Sequence, residues 1–238
     1  YNPKTGYIDP FGGQQDMENR ILRTVGNPKE RFQEDALRIL RGARFSARFR
    51  LTPESATRDA MYQLAPLLEA LARERVFEEL CKLLLSATAE DLLTFAPLLT
   101  QVIPELAPSV GFVQHSPHHA YDVFTHTAHV VEAVPAELSL RWAALLHDIG
   151  KPASFTMDEN GCGHFKGHAK VSQEMADTIL LRLKAPSALR QQVTELIGLH
   201  MTPLEPDKKL LRRRLGKLGQ TQLEQLLTLQ EADMGSKG

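Results

Sequence analysis

Apolar residues in this chain recur at intervals of three and four, and stretches that alternate every second residue are scarce. That period belongs to helices that bury one face, so the fold expected is all-α. The clearest case is residues 30–49, where Phe32, Ala36, Leu40, Ala43 and Ala47 fall on one stripe and predict a single long helix. The same spacing predicts helices over 58–71, 73–85 and 90–102, then over 122–133, 139–146, 169–183, 188–199, 210–218 and 221–233. Extended backbone is expected only at 7–11 and 21–25, with a brief helix through Met17 and Asn19 between them. Gly26-Asn27-Pro28 is a turn signal. Thr52-Pro53-Glu54 reads as a helix start, with Thr52 as N-cap and Pro53 in the first turn. Residues 158–163 read as a loop. Pro104, Pro108 and Gly111 break the pattern and set a domain boundary, giving segments 1–12, 13–108 and 109–238.

At 238 residues the chain is long enough to bury a core, and 42% hydrophobic with 24% charged residues fits a globular protein in water. No apolar run approaches a membrane span, so no membrane partner is expected. The two cysteines, Cys81 and Cys162, lie far apart without ligand-like spacing, which predicts a reduced, cytoplasmic setting and no disulfide framework. The chain opens on Tyr1 rather than Met, and its last residues read as a helix end with an abrupt stop. Both ends predict a piece of something larger.

The formal net charge is −1, yet the charge is not evenly spread. Between Arg20 and Arg50 nine basic residues face three acidic ones, a local net of +6. Such density is an electrostatic footprint for a polyanion. Within it, Asp35 and Arg38 stand three apart and would share one face of the predicted helix, with Arg41 three further on. A carboxylate beside a guanidinium can read the edge of a base, or can simply be an ion pair on a solvated face. A second basic run at 208–217 has the same two readings, a grip on nucleic-acid backbone or a solvated helix.

All nine histidines lie from His115 onward. His147-Asp148 follows the apolar run 142–146, so both side chains sit at the end of a buried helix. His126 lies on a predicted helix upstream and Asp233 on one far downstream. Imidazole nitrogens and carboxylate oxygens brought together from several helices suit a transition-metal ion. The dipeptide alone fits an ordinary buried pair equally well.

The word Glu34-Asp35-Ala36-Leu37-Arg38-Ile39-Leu40-Arg41, continuing Gly42-Ala43-Arg44-Phe45, resembles the nucleotide-selecting motif of class II tRNA nucleotidyltransferases and bacterial poly(A) polymerases. Tyr7-Ile8-Asp9-Pro10-Phe11-Gly12-Gly13, Asn19-Arg20-Ile21-Leu22-Arg23-Thr24-Val25-Gly26 and Arg73-Glu74-Arg75-Val76-Phe77-Glu78-Glu79-Leu80 resemble the flanking head–neck and neck segments. This resemblance implies that Asp35 and Arg38 pair with CTP or ATP, that Glu34 orients its neighbours, and that Arg41 supports the triphosphate. The second half resembles the HD superfamily of metal-dependent phosphohydrolases, through His126 in Phe124-Thr125-His126-Thr127, Leu146-His147-Asp148-Ile149-Gly150-Lys151 and Glu231-Ala232-Asp233. It implies that His126, His147, Asp148 and Asp233 are metal ligands, that His168 and His200 hold a second metal, and that Lys151 contacts phosphate.

Together these resemblances imply the neck and HD domain of a CCA-adding tRNA nucleotidyltransferase, with tRNA and nucleotides as partners. The parent transferase would use Mg or Mn. The HD site would take Mn, Ni, Co, Fe or Zn and hydrolyse a 2′,3′-cyclic phosphate or 2′-nucleotide ester. The paired metal-binding aspartates of the transferase head do not precede Asp9, so the chain alone is not expected to transfer nucleotides. The rival readings are a stand-alone HD phosphohydrolase, a non-catalytic RNA-binding module and a poly(A) polymerase fragment.

Overall fold

The computed structural model describes residues 6, 8–115, 120–203 and 208–238, without the side chains of 208–211 and 217. Tyr7, His118, His119 and the side chains that open the second basic run lie outside the described residues. The described structure is all-α, and its strands are two residues long.

The first half begins with α1 (Gly13–Glu18) and a two-residue strand, β1 (Ile21–Leu22). Next come α2 (Pro28–Glu34), α3 (Leu37–Phe49), β2 (Thr52–Pro53) and α4 (Ser55–Gln63). A 3-10 turn (Ala65–Ala70), α5 (Arg73–Leu84), α6 (Ala89–Thr94), α7 (Ala96–Val102) and a second 3-10 turn (Pro104–Ser109) complete it.

The structure departs from several of these expectations. The helix predicted over 30–49 is two helices, because Asp35 leaves helical geometry at φ −150°, ψ 99° and its Oδ1 accepts the Leu37 N–H at 3.1 Å. A short acidic side chain that captures a backbone donor ends one helix and starts the next. Asp35 and Arg38 therefore do not share a helix face.

Thr52-Pro53 does not start a helix. It pairs in parallel with Ile21-Leu22, as the extended preference of a residue before proline allows, and the cap falls to Glu54, whose Oε2 accepts from Thr57 N at 2.9 Å. The helices predicted over 58–71 and 90–102 each break in two, just ahead of Pro66 and Pro97, which have no N–H to donate. Of the predicted opening strand, Pro10 and Phe11 form a turn instead.

The second half contains α8 (Val123–Ala133), α9 (Leu138–Leu146), a 3-10 turn (Pro152–Ser154) and a hairpin of β3 (Thr156–Met157) and β4 (Gly163–His164). Then follow α10 (His168–Arg182), α11 (Ser187–Leu199), α12 (Lys208–Leu218) and α13 (Gln220–Gly235). Helix α9 is buried from Ser139 to Leu146, which makes it the axis of this half. It packs against α5, α8, α10, α11 and α13.

One hydrophobic cluster runs through both halves. Phe77 of α5 stacks on Trp142 of α9 with ring centroids 5.6 Å apart, and the Trp142 indole N–H points at Cys81 Sγ at 3.3 Å. Arg141 reaches across to donate to the Ala87 carbonyl at 3.1 Å, and Arg182 makes a two-pronged ion pair with Glu105. Cys81 is accordingly a packed interior thiol, its pKa pushed up by burial.

Candidate metal centre

The buried axis helix α9 ends by delivering His147 and Asp148 into the interior, 0% and 1% exposed. Around them stand His126 from the middle of α8, His168 from the first residue of α10, His200 from the end of α11 and Asp233 from α13. Residues separated by up to 107 positions thus converge on one point. His126, His147, Asp148 and Asp233 form one group, and Asp148, His168 and His200 a second, with the ligand atoms of each within 4.8 Å of one another.

Asp148 belongs to both groups through different oxygens. Its Oδ2 lies 3.5 Å from His126 Nε2 and 3.2 Å from His147 Nε2. Its Oδ1 lies 3.2 Å from His168 Nε2 and 3.7 Å from His200 Nε2. Asp233 Oδ1 closes the first group, 3.0 Å from His126 Nε2 and 3.8 Å from His147 Nε2.

All four imidazoles are tied in the same way. Nδ1 of His126 contacts the Ser236 carbonyl at 3.0 Å, and Nδ1 of His147, His168 and His200 contact the carbonyls of Ala144, Phe165 and Ile197 at 2.8, 2.8 and 2.6 Å. A carbonyl only accepts, so each Nδ1 is the donor, and each ring, when neutral, turns a bare Nε2 inward. Two such lone pairs, on His168 and His200, stand 3.3 Å apart. His147 Nε2 is buried with no well-aligned hydrogen bond, and three imidazole or ammonium nitrogens, of His126, His147 and Lys151, crowd the buried Asp148 Oδ2. Converging lone pairs, and a buried ring nitrogen without a well-aligned partner, are unfavourable unless a cation occupies the gap. The donor set of imidazole nitrogen and carboxylate oxygen fits a divalent transition metal.

The electrostatics agree. Burial alone would raise the Asp148 pKa, but His147 and Lys151 beside it hold the carboxyl well below its usual range. Burial would depress His147, yet Asp148 and then Asp233 push it up to about 10.

Lys151, 6% exposed, places its Nζ 2.7 Å from Asp148 Oδ2 and 5.4 Å from the Phe165 ring centre. A cleft of about 240 Å³ opens onto Asp148, Lys151, His168, Asp233, His164 and Lys237. A second hollow of about 440 Å³ adjoins it, sharing Asp233, Met201 and Lys237, with Leu227 and Met234 on its walls. Sequence reasoning missed Lys237 and the backbone carbonyls that orient the histidines, because neither carries a spacing signal.

The basic region of the first half is organised differently from its prediction. Arg38 Nη1 donates to Glu34 Oε2 at 3.0 Å and to the Arg31 carbonyl at 3.1 Å, so its partner is Glu34 rather than Asp35. Glu34 also pairs with Arg31. Arg38 and Arg41 line a hollow of about 330 Å³ whose walls include Phe32, Phe45 and Thr57, and Asp35 is not among its lining residues. Arg44 is turned inward onto Glu79 at 3.0 Å and does not belong to an exposed basic face.

Comparison with known proteins matches residues 50–109 to the family described as "Probable RNA and SrmB-binding site of polymerase A", and residues 118–234 to the HD domain. An A-adding tRNA nucleotidyltransferase of Deinococcus radiodurans is 38% identical over 240 residues, covering 95% of this chain and 54% of that protein. A CC-adding tRNA nucleotidyltransferase of Thermus thermophilus is 38% identical over 216 residues, covering 85% of this chain and 49% of the relative. Among solved structures, the Bacillus stearothermophilus CCA-adding enzyme in complex with CTP shares the fold with a TM-score of 0.66 at 24% identity, over 96% of this chain and 50% of that one.

Fold and site together define a helical protein that joins a polymerase-type RNA-binding region to an HD domain. The chain belongs to the class II tRNA nucleotidyltransferase family. It spans about half the length of the curated relatives it matches.

Proposed function

We propose that this chain is the nucleotide-selecting and RNA-binding part of a CCA-adding tRNA nucleotidyltransferase, joined to an HD domain that hydrolyses phosphoesters. The observation that carries the hydrolase reading is the set of four imidazoles whose Nδ1 atoms are tied to carbonyls and whose Nε2 atoms face the buried carboxylate of Asp148 and the half-buried one of Asp233. His126, His147, Asp148 and Asp233 would hold one divalent ion, and Asp148, His168 and His200 a second. An ion so held supplies an activated water and neutralises charge on a phosphoryl group. Lys151 binds the substrate phosphate from the cleft wall, and Lys237 at the cleft's edge adds a second positive charge. The hollow beside Met201, Leu227 and Met234 suits the flat, partly apolar body of a nucleoside. The substrates so favoured are a 2′,3′-cyclic phosphate or a 2′-nucleotide ester at an RNA end.

In the first half, Asp35 and Arg38 would read the Watson–Crick edge of CTP or ATP, Asp35 from the break between α2 and α3 and Arg38 from the hollow it lines with Arg41. Glu34 holds the Arg38 guanidinium, as their 3.0 Å contact supports. Arg41 supports the triphosphate at the rim of the same hollow. The transferase reaction would use Mg or Mn and add CMP and AMP to the tRNA 3′ end. A-adding and CC-adding relatives at 38% identity favour a second reading, in which the parent enzyme performs only part of that addition.

The test is hydrolysis of 2′,3′-cyclic AMP by the manganese-loaded chain and by Asp148→Ala. Metal-dependent turnover confined to the parent chain is expected. Equal turnover in both, or none in either, contradicts the hydrolase reading.

A further inference from the structure

Lys151 is not held by the HD residues alone. The segment between the two halves, residues 111–115, bends into the second half and is fixed there by backbone bonds, Val123 N to the Phe112 carbonyl at 3.1 Å and Gly163 N to the His115 carbonyl at 2.8 Å. Gln114 is 1% exposed. Its Oε1 accepts from Lys151 Nζ at 2.8 Å, and its Nε2 donates to the Tyr121 carbonyl at 3.1 Å. One orientation of the amide satisfies both contacts, so the side chain has a single fixed role. β4 presses against the same point. A Cβ on Gly163 would come within 2.3 Å of the Gln114 carbonyl oxygen, so only glycine lets the hairpin close over this segment.

From this geometry we infer that Gln114 is a positioning residue for Lys151, holding its ammonium between Asp148 and the cleft so that it meets the phosphate of the substrate. Gln114 lies outside both residue ranges matched to known families, 50–109 and 118–234. The connecting segment thus supplies part of the phosphate subsite. The inference rests on the hydrolase reading for its ligand class, a phosphate ester.

Without the Gln114 acceptor, Lys151 loses its hydrogen bond to a neutral side chain and turns onto Asp148. The ammonium then withdraws from the cleft, while the metal ligands keep their carbonyl anchors. A buried amide that merely filled space would not give that pattern.

The experiment is calorimetric titration of inorganic phosphate into the full chain, with and without Mn²⁺. The parent, Gln114→Met, Lys151→Met and the double variant are compared, with thermal unfolding and bound manganese measured for each. Gln114→Met is expected to weaken phosphate binding about tenfold, the scale of one buried charge-assisted hydrogen bond, with manganese content unchanged. The double variant should bind no more weakly than Lys151→Met, because both substitutions remove the same contact. Gln114→Asn, which keeps the amide but withdraws it by one methylene, should show the same loss if Gln114→Met fails to fold. Phosphate binding unchanged in the Gln114 variants, losses that add in the double variant, or no phosphate binding by the parent would overturn the inference. Failure of the hydrolase reading shows separately, as a parent chain that binds phosphate but does not turn over 2′,3′-cyclic AMP.

Discussion

At the scale of single residues, the centre is defined by what fixes each imidazole rather than by the imidazoles alone. Three of the four Nδ1 atoms reach a carbonyl three residues earlier in their own segments, and the fourth reaches Ser236 beyond α13. Asp148 belongs to both candidate groups, so its loss should affect both, whereas His200→Ala should cost only the second. Arg38 offers a comparable test in the first half. Arg38→Lys keeps the charge but loses the planar fork that Glu34 holds. It is expected to weaken CTP and ATP binding by about tenfold, read by equilibrium dialysis, consistent with loss of one charge-assisted hydrogen-bond set. Unchanged affinity would remove Arg38 from the base-reading role.

At the scale of elements, helix identity is legible in the sequence and helix breaks are less so. The stripe Phe32, Ala36, Leu40, Ala43, Ala47 runs through the break at Asp35 without interruption, because a side chain capturing one backbone N–H leaves no mark on apolar spacing. Pro66 and Pro97 are visible in the sequence, but period alone carried the prediction past them. The clustering of His126, His147, Asp148, His168, His200 and Asp233 is legible through resemblance and order along the chain, whereas Gln114 and Lys237 come to the site only through tertiary packing. The turn after α9 gives a direct test of element packing. A Cβ on Gly150 would meet Ser172 N at 2.7 Å and the His168 carbonyl at 2.9 Å, both backbone atoms of α10. Gly150→Ala must therefore push α10, and His168 with it, away from Asp148. We expect a loss of about 1–3 kcal/mol in denaturant unfolding, the usual cost of overpacking, together with loss of one bound metal. Parent-like stability and metal content would contradict this packing.

At the scale of the whole molecule, the two halves share a core and a small set of polar ties. Among the described residues no helix is long and apolar enough to cross a membrane. The Glu105–Arg182 pair joins the last turn of the first half to α10, and the Arg182 hydrogen bonds hold the Glu105 carboxyl below its usual pKa of 4.5. A carboxyl depressed in the folded state stabilises above its unfolded pKa, and that contribution disappears as pH falls through the folded value. Both partners are partly exposed, so the effect is modest, about 0.5–1 kcal/mol. Glu105→Gln is expected to melt below the parent at pH 7 and together with it near pH 3, and a difference that persists in acid would refute the assignment. Phosphoester hydrolysis by this chain depends on the buried cluster being a metal centre. The most direct measurement is the manganese stoichiometry of the purified, metal-loaded chain beside Asp148→Ala and His200→Ala. We predict two ions per parent chain, one in His200→Ala and none in Asp148→Ala. A parent chain without stoichiometric metal, or an Asp148→Ala variant that retains it, would contradict the account.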